Sequence, residues 1–365
     1  MNKVLIFNPL GIGDVLFSTP LIRGIQENFP RASIAYICNK RTYEIMKDHP
    51  FIEKMHIFEK DDFKREWRVS KISCLSRALS FFNRLKKDRF DTVIDLSLGS
   101  NYTFLFLLMG IPDRVGFNFR NRGRFLTKRF DISGFERKHA IEYYLDLARL
   151  VNAVPKEKNI SLYILENDRQ WGEKFLSENG VMTPDIIVGM VPGCGASWGK
   201  DADYRRWGRE KFAEVGNRIS EDPRVRLLLF GDAGEVDICD DIARAMKRKP
   251  LVVCGKTTLR QFLSLVSRCS LVITNDGGPL HIAVGLGVKT VSIFGPVDED
   301  IYGPYPKTSE HIVISKKDLP CRPCYKNFKY SLCGDRECLR SISPGEVFHA
   351  AKSMIDSIKK KVPAA

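Results

Sequence analysis

The run Lys3-Val4-Leu5-Ile6-Phe7 is apolar without alternation, as a strand buried on both faces requires, and Asn8-Pro9 stops it. After the glycine-bearing loop 8–14, Val15, Leu16, Ile22 and Ile25 recur at helical spacing as far as Pro30. Further strands are predicted at 33–38, 91–96 and 114–117. The pattern weakens around 154–185 and then restarts. Strands are predicted at 186–191, 225–230, 251–254, 271–274 and 288–294. Helices are predicted at 209–219, 235–246, 259–269 and 281–286. Strand and helix alternating in two blocks predict an α/β class: two Rossmann-like domains with parallel, helix-covered sheets facing a central cleft. The expected division is 1–170, 171–345, and a C-terminal helix and tail at 346–365. Ligands in such sheets bind beyond the carboxyl ends of the strands, so the loops after Phe7, Val191, Phe230, Thr274 and Phe294 draw attention first.

The length of 365 residues accommodates two domains, and 44% apolar content excludes a largely disordered chain. Net charge is +14, from 58 basic against 44 acidic side chains. That balance suggests an anionic partner, whether nucleic acid, a membrane surface or a phosphorylated substrate. No apolar stretch approaches the roughly 18 residues of a spanning helix, and no secretory pattern is visible, so the chain is read as cytoplasmic. The ten cysteines are then expected as thiols. Six are dispersed and read as small core residues; Cys321, Cys324, Cys333 and Cys338 cluster.

Four loops carry candidate chemistry. In Leu10-Gly11-Ile12-Gly13-Asp14, Leu16 occupies the place of the third glycine of a dinucleotide fingerprint. Asp14 reads either as a helix cap or as a general base toward a hydroxyl. In Asn275-Asp276-Gly277-Gly278-Pro279-Leu280-His281, adjacent glycines and a helix start suit a phosphate. His281 adds a donor; the plain alternative is a tight strand-to-helix turn. In the segment 192–207, Ser197, Lys200 and Arg205 make a phosphate grip or a solvated basic loop. In Gly231-Asp232-Ala233-Gly234-Glu235, a carboxylate binds ribose hydroxyls or caps a helix. Asp201-Ala202-Asp203 and Asp298-Glu299-Asp300 match a short metal pattern that arises often by chance.

Taken in order, Gly13-Asp14-Val15 with Thr19-Pro20, Pro192-Gly193 with Ala196-Ser197 and Arg205-Arg206-Trp207, Gly231 with Glu235, and Asp276-Gly277-Gly278-Pro279-Leu280-His281 resemble glycosyltransferase family 9, the ADP-heptose:lipopolysaccharide heptosyltransferases. The resemblance runs from residue 3 to about 350. It implies a GT-B fold with an acceptor-binding N-terminal domain and a nucleotide-sugar-binding C-terminal one. It implies inverting, metal-independent transfer of a heptose from ADP-heptose to an inner-core lipopolysaccharide acceptor. Asp14 matches the proposed base. Asp276 and His281 match donor contacts, and Glu235 a nucleoside contact. Asn275, Gly277, Gly278, Ser197, Lys200 and Arg205 complete the expected donor set. Gly13, Arg120, Arg122 and Arg124 form the expected acceptor set. The family usually has Lys-x-Trp where this chain has Arg205-Arg206-Trp207; arginine replaces the lysine's charge but not its point geometry.

Three features lie outside that core. The cluster Cys321-x2-Cys324-x8-Cys333-x4-Cys338 is open to a structural zinc or iron, a labile disulfide or plain loop packing. Lys64–Arg89 carries nine Lys/Arg against two acids, interleaved with Trp67, Leu75, Leu79 and Leu85. It reads as an amphipathic segment able to lie on an anionic inner-membrane surface, or as a solvated face. Arg114–Lys138, with eight Lys/Arg against two acids, suits a phosphorylated lipid core. Alternatives to heptosyl transfer are a GT-B transferase with another nucleotide sugar, a sugar-nucleotide epimerase, and a nucleic-acid-binding protein. The last finds no recognition-helix or RNP-type motif.

Overall fold

The structure, a computed structural model, describes residues 1–361 except Thr183 and Leu332; the side chains of Ala196, Ser197, Trp198, Lys200 and Lys361 also lie outside the described set. The chain divides into two compact units, Met1–Ser161 and Leu162–Ala365.

The first unit is built on a six-stranded parallel sheet of β1 (Lys3–Phe7), β2 (Ser33–Cys38), β3 (Lys54–Ile57), β4 (Thr92–Asp95), β5 (Asp113–Phe119) and β6 (Lys128–Ile132), ordered β3-β2-β1-β4-β5-β6. Around it lie α1 (Ile12–Phe17), α2 (Thr19–Asn28), α3 (Lys40–Met46), α4 (Lys60–Val69), α5 (Lys71–Lys86), α6 (Ser100–Leu108) and α7 (Ala140–Leu150). The single helix expected up to Pro30 is broken at Ser18. Pro20 has no N–H to give Leu16, and the Thr19 hydroxyl donates to the Leu16 carbonyl instead at 2.7 Å. Strand β1 is buried on both faces from Val4 to Phe7, as its unalternating pattern requires. One face of the sheet is closed by Leu5, Phe7, Phe58, Phe82, Leu85, Val93 and Phe106 from the strands, α5 and α6.

The second unit repeats the plan with β7 (Ile186–Val191), β8 (Val225–Leu229), β9 (Leu251–Val252), β10 (Leu271–Asn275), β11 (Lys289–Phe294) and β12 (His311–Ser315), all parallel and ordered β12-β11-β10-β7-β8-β9. Its helices are α8 (Glu166–Glu178), α9 (Arg209–Ile219), α10 (Val236–Ala245), α11 (Leu259–Ser267), α12 (Gly278–Gly285), α13 (Glu299–Tyr302), α14 (Glu337–Arg340) and α15 (Pro344–Lys361). A short hairpin, β13 (Tyr325–Lys326) and β14 (Lys329–Tyr330), lies within the cysteine segment.

Two expected boundaries need correction. A break at residue 170 falls inside α8, which is tied to the second unit because Ser264 donates to the Asp168 carbonyl and Arg260 pairs with Asp168. The terminal helix is not a separate piece: Val347, Ala351, Met354 and Ile355 of α15 are part of the second unit's core. Residues 362–365 of the expected tail lie outside the described residues. Among the described residues, no helix is long and apolar enough to cross a membrane.

Candidate active site

Both sheets reverse their strand order at one point, between β1 and β4 in the first unit and between β7 and β10 in the second. At such a point the loops from adjacent strand ends run apart and leave a crevice. The loops bordering these two crevices are 8–14 and 96–100, and 192–207 and 275–281.

In the first unit, Asp14 sits in the first turn of α1 rather than at its cap position, which is Gly11. Its Oδ2 accepts from the Gly11 N–H at 3.3 Å, and the Asn8 side chain donates to its carbonyl at 3.1 Å. The Tyr144 hydroxyl, from α7, donates to Oδ1 at 3.3 Å. Nothing local to residue 14 could have announced that partner. Asp14 and Gly13 are half-buried, so the carboxylate stays within reach of solvent. At the end of β4, Asp95 is buried, and burial pushes its carboxyl up to about 7 against hydrogen bonds from Ser97. Arg120, Arg122 and Arg124 are exposed in the segment leaving β5. In a parallel sheet this is the edge that carries Asp14, two strands away, or roughly 10 Å. Arg120 and Arg122 stack on Phe119 and Arg124 on Phe125, with cation-to-ring distances of 4.8, 5.9 and 4.6 Å. None of the three makes an ion pair with a carboxylate among the described residues.

In the second unit three loops are stapled together. Asn275, fully buried, donates to the Pro192 and Gly193 carbonyls at 2.7 and 3.1 Å and accepts from the Trp207 N–H at 3.1 Å. Glu235 Oε1 accepts from the Cys194 and Gly195 N–H groups, both at 3.0 Å, and from Arg206 at 3.1 Å. Its Oε2 accepts from the Asp232 N–H at 3.1 Å. Glu235 is therefore a clasp for the loop after β7 as well as part of a capping box with Asp232. The spacing Asp232-x-x-Glu235 is that box's signature, and it was the available signal for this role. Arg205 is buried and paired with Asp276 at 2.5 Å. Burial drives the Asp276 carboxyl up and Arg205 opposes it. The other oxygen of Asp276, Oδ1, is buried without a hydrogen-bond partner among the described residues.

The turn itself is tight because of a backbone contact. A Cβ on Gly277 would lie 2.8 Å from the Cys194 carbonyl oxygen. Neither Gly277 nor Gly278 gives its N–H to an acceptor among the described residues, and Pro279 follows in the first turn of α12. The result is a pair of amides and a helix start open to an anion. His281 is buried on α12. The expected side-chain contacts of Ser197 and Lys200 fall outside the described residues.

A family model described as glycosyltransferase family 9 (heptosyltransferase) matches residues 78–331, more than half of the sequence. The chain belongs to glycosyltransferase family 9. This family 9 transferase is 26% identical over 359 residues to lipooligosaccharide heptosyltransferase 2 of Campylobacter jejuni subsp. jejuni serotype O:2, which covers 97% of this chain and 98% of that protein. It superposes on a solved family 9 glycosyltransferase from Veillonella parvula with a TM-score of 0.81 at 23% identity, covering 98% of each chain. The Escherichia coli structure described as ADP-heptose lps heptosyltransferase II gives a TM-score of 0.74 at 20% identity, covering 99% of this chain and 100% of that one. These likenesses show the fold, which is GT-B.

Several features of this transferase escaped sequence reasoning. Arg206, not Arg205, keeps a partly exposed guanidinium near the loop after β7, between Asp203 and Glu235. Arg322 and Glu299 form a buried pair at 2.8 Å, and Arg322 also donates to the Gly295 and Val297 carbonyls, anchoring the cysteine segment to the loop after β11. The Asp-x-Asp pairs are used locally: Asp203 binds Arg206, Asp298 caps α13, and Asp300 pairs with Lys307 and Lys317. All four clustered cysteines are free thiols. Burial pushes Cys338 up to about 11; Arg322 opposes this, and the neighbouring Cys324, Cys321 and Cys333 add to it. Among the described residues no three His, Cys, Asp or Glu side chains are grouped to hold a metal ion.

Proposed function

We propose that this family 9 transferase moves a heptose, with inversion, from ADP-heptose to an inner-core lipopolysaccharide acceptor. The observation that carries the reading is the stapled cradle at the second unit's crevice, where the Gly277 and Gly278 amides are left open beside a helix start. The relatives' names supply the sugar and the acceptor: one is a lipooligosaccharide heptosyltransferase, and the other is an ADP-heptose lps heptosyltransferase.

In this reading the diphosphate lies on the Gly277 and Gly278 amides. As the acceptor oxygen attacks the anomeric carbon, its proton passes to Asp14. The bond from that carbon to the phosphate oxygen breaks, and ADP leaves with the electron pair. Charge grows on the diphosphate, where the two amides, the helix start and Lys200 meet it. Asp276 Oδ1 is available to a sugar hydroxyl, and Arg205 keeps the rest of that carboxylate in place. Asn275 and Glu235 serve the donor by holding the loop backbone. His281 completes the donor set with Ser197. Gly13 lets the acceptor approach Asp14, and Arg120, Arg122 and Arg124 meet its phosphates. The acceptor carries a lipid, so the enzyme works as a peripheral protein on the cytoplasmic face of the inner membrane.

Asp14→Ala is expected to abolish transfer while leaving donor affinity within about threefold, since the donor's groups are on the second unit. Near-normal transfer by that variant would remove Asp14 from the mechanism. Product analysis with ADP-heptose and competing nucleotide sugars tests the donor. A structural zinc or iron at Cys321, Cys324, Cys333 and Cys338 is a separate part of this proposal; it rests on the spacing of the four thiols in the sequence, since among the described residues no three of them are grouped to hold an ion. Less than about 0.2 metal per chain in purified protein would eliminate it.

A further inference from the structure

The outer face of the α4–α5 pair is built unlike a solvated helix surface. Helix α5 already has a buried side: Phe82 and Leu85 join the core on the sheet, and the Cys74 thiol donates to the Phe63 carbonyl of α4. A second apolar stripe, Ile72, Leu75 and Leu79, follows i, i+3, i+7 spacing beside that buried side and is 83, 52 and 56% exposed. Trp67 and Val69, at the end of α4, add exposed apolar surface at 46 and 85%. The junction is fixed: the Ser70 side chain caps α5, and Glu66 accepts from both Ser73 and Arg77. The exposed residues are therefore held in place on ordered helices.

The cations around this stripe complete the picture. Arg68, Lys71, Arg84, Lys86 and Lys87 are exposed and make no ion pair among the described residues. By contrast, the acids of the pair are occupied: Asp61 by Lys64, Asp62 by Arg65, and Glu66 by Arg77. The Lys71 ammonium lies over the Trp67 ring, 5.9 Å from its centroid. An aliphatic ridge bordered by unpaired Lys and Arg matches a bilayer interface, with acyl chains for the ridge and anionic headgroups for the cations. Nucleic acid would use the charges and leave the aliphatic ridge in water.

We infer that the outer face of α4–α5 is a docking surface for an anionic lipid bilayer. This deepens the proposed function by naming where the enzyme meets the membrane, and it rests on that reading only for its biological sense.

The test uses the full chain, without nucleotide or acceptor, and vesicles of phosphatidylcholine alone or with about 30 mol % phosphatidylglycerol. Flotation should show at least about tenfold tighter binding to the anionic vesicles, weakening with salt. The variants Ile72→Ser/Leu75→Ser/Leu79→Ser and Lys86→Glu/Lys87→Glu should each weaken that binding about tenfold or more with melting curves unchanged, because all five side chains are exposed. Failure of the native chain to bind anionic vesicles, or native-like binding by either variant, overturns the inference. So does self-association lost in the serine variant, which would assign the face to a second copy. Binding to single-stranded RNA lost in the glutamate variant but kept in the serine one would assign it to nucleic acid. Both variants should transfer sugar normally to a detergent-dispersed acceptor. A failure of the transferase reading would show in that assay and leave the vesicle result untouched.

Discussion

Two buried carboxylates show how single residues govern this molecule in opposite ways. Glu235 accepts four donors, two of them in the loop after β7, and one of the four is a guanidinium. Glu235→Gln keeps the shape but turns one acceptor into a donor facing N–H groups. The expected loss of stability is about 2–4 kcal/mol, with weaker ADP binding. An unchanged denaturation midpoint would contradict the clasp. Asp95 works the other way. Its folded-state value is about 7, against roughly 3.9 in an unfolded chain. Below pH 4 both states hold the proton; between pH 4 and 7 the unfolded chain releases it while the folded one keeps it. Stability therefore falls across that window and levels off above it, by about 4 kcal/mol at most. Asp95→Asn should lack this fall, as denaturant titrations at pH 4 and 8 would show. The capping half of Glu235's role was visible in the sequence; its hold on the loop after β7 and the burial of Asp95 were not. The sequence places Glu235 at a nucleoside or a helix cap and Asp95 within a predicted strand, because Cys194 is 41 residues from Glu235 and the burial of Asp95 comes from folding.

At the scale of elements, the strands buried on both faces were legible, and of the sheet edges only β9 was. β1 and β10 are short, unalternating apolar runs, which no amphipathic helix would tolerate. β3, β6 and β12 lie at or beside sheet ends, half exposed and with polar residues interspersed, so their sequences carry no clear period. Helix α2 shows why packing, not propensity, fixes an element's place. A Cβ on Gly24 would lie 1.9 Å from the Ala153 carbonyl oxygen, just beyond α7. Gly24→Ala raises helix propensity yet is expected to destabilise the fold by about 3 kcal/mol, since backbone cannot yield as a side chain can. A midpoint at or above that of the native chain would show that α2 and α7 do not meet so closely.

For the whole molecule, each unit has its own parallel sheet and core, and each places its central candidate groups, Asp14 in the first and the 275–281 turn in the second, at its own strand-order reversal. Donor binding should therefore report on the second unit's loops. Saturating ADP is expected to slow hydrogen exchange at 192–207, 231–235 and 275–281, and to raise apparent stability by about 2.7 kcal/mol at a hundred times Kd. Exchange unaltered in all three segments would argue that the stapled cradle is not the nucleotide seat. The net charge of +14 belongs to this scale too: it provides a long-range field, and the α4–α5 face gives that field an apolar contact to end on.

The sequence by itself determined the class of fold, the central strands, the order of the glycine-bearing loops and, through that order, the family. These depend on local period and on residues adjacent in the chain, such as Gly277 beside Gly278. Only the tertiary structure decided which side chains hold the site and which stand open in it. It put Arg205 into a buried pair, made Asn275 and Glu235 into clasps, gave Asp14 its Tyr144 partner and left Ile72, Leu75 and Leu79 in water. The physical reason is that a side chain's partners and its burial are set by segments that meet only on folding, and no spacing along the chain records them.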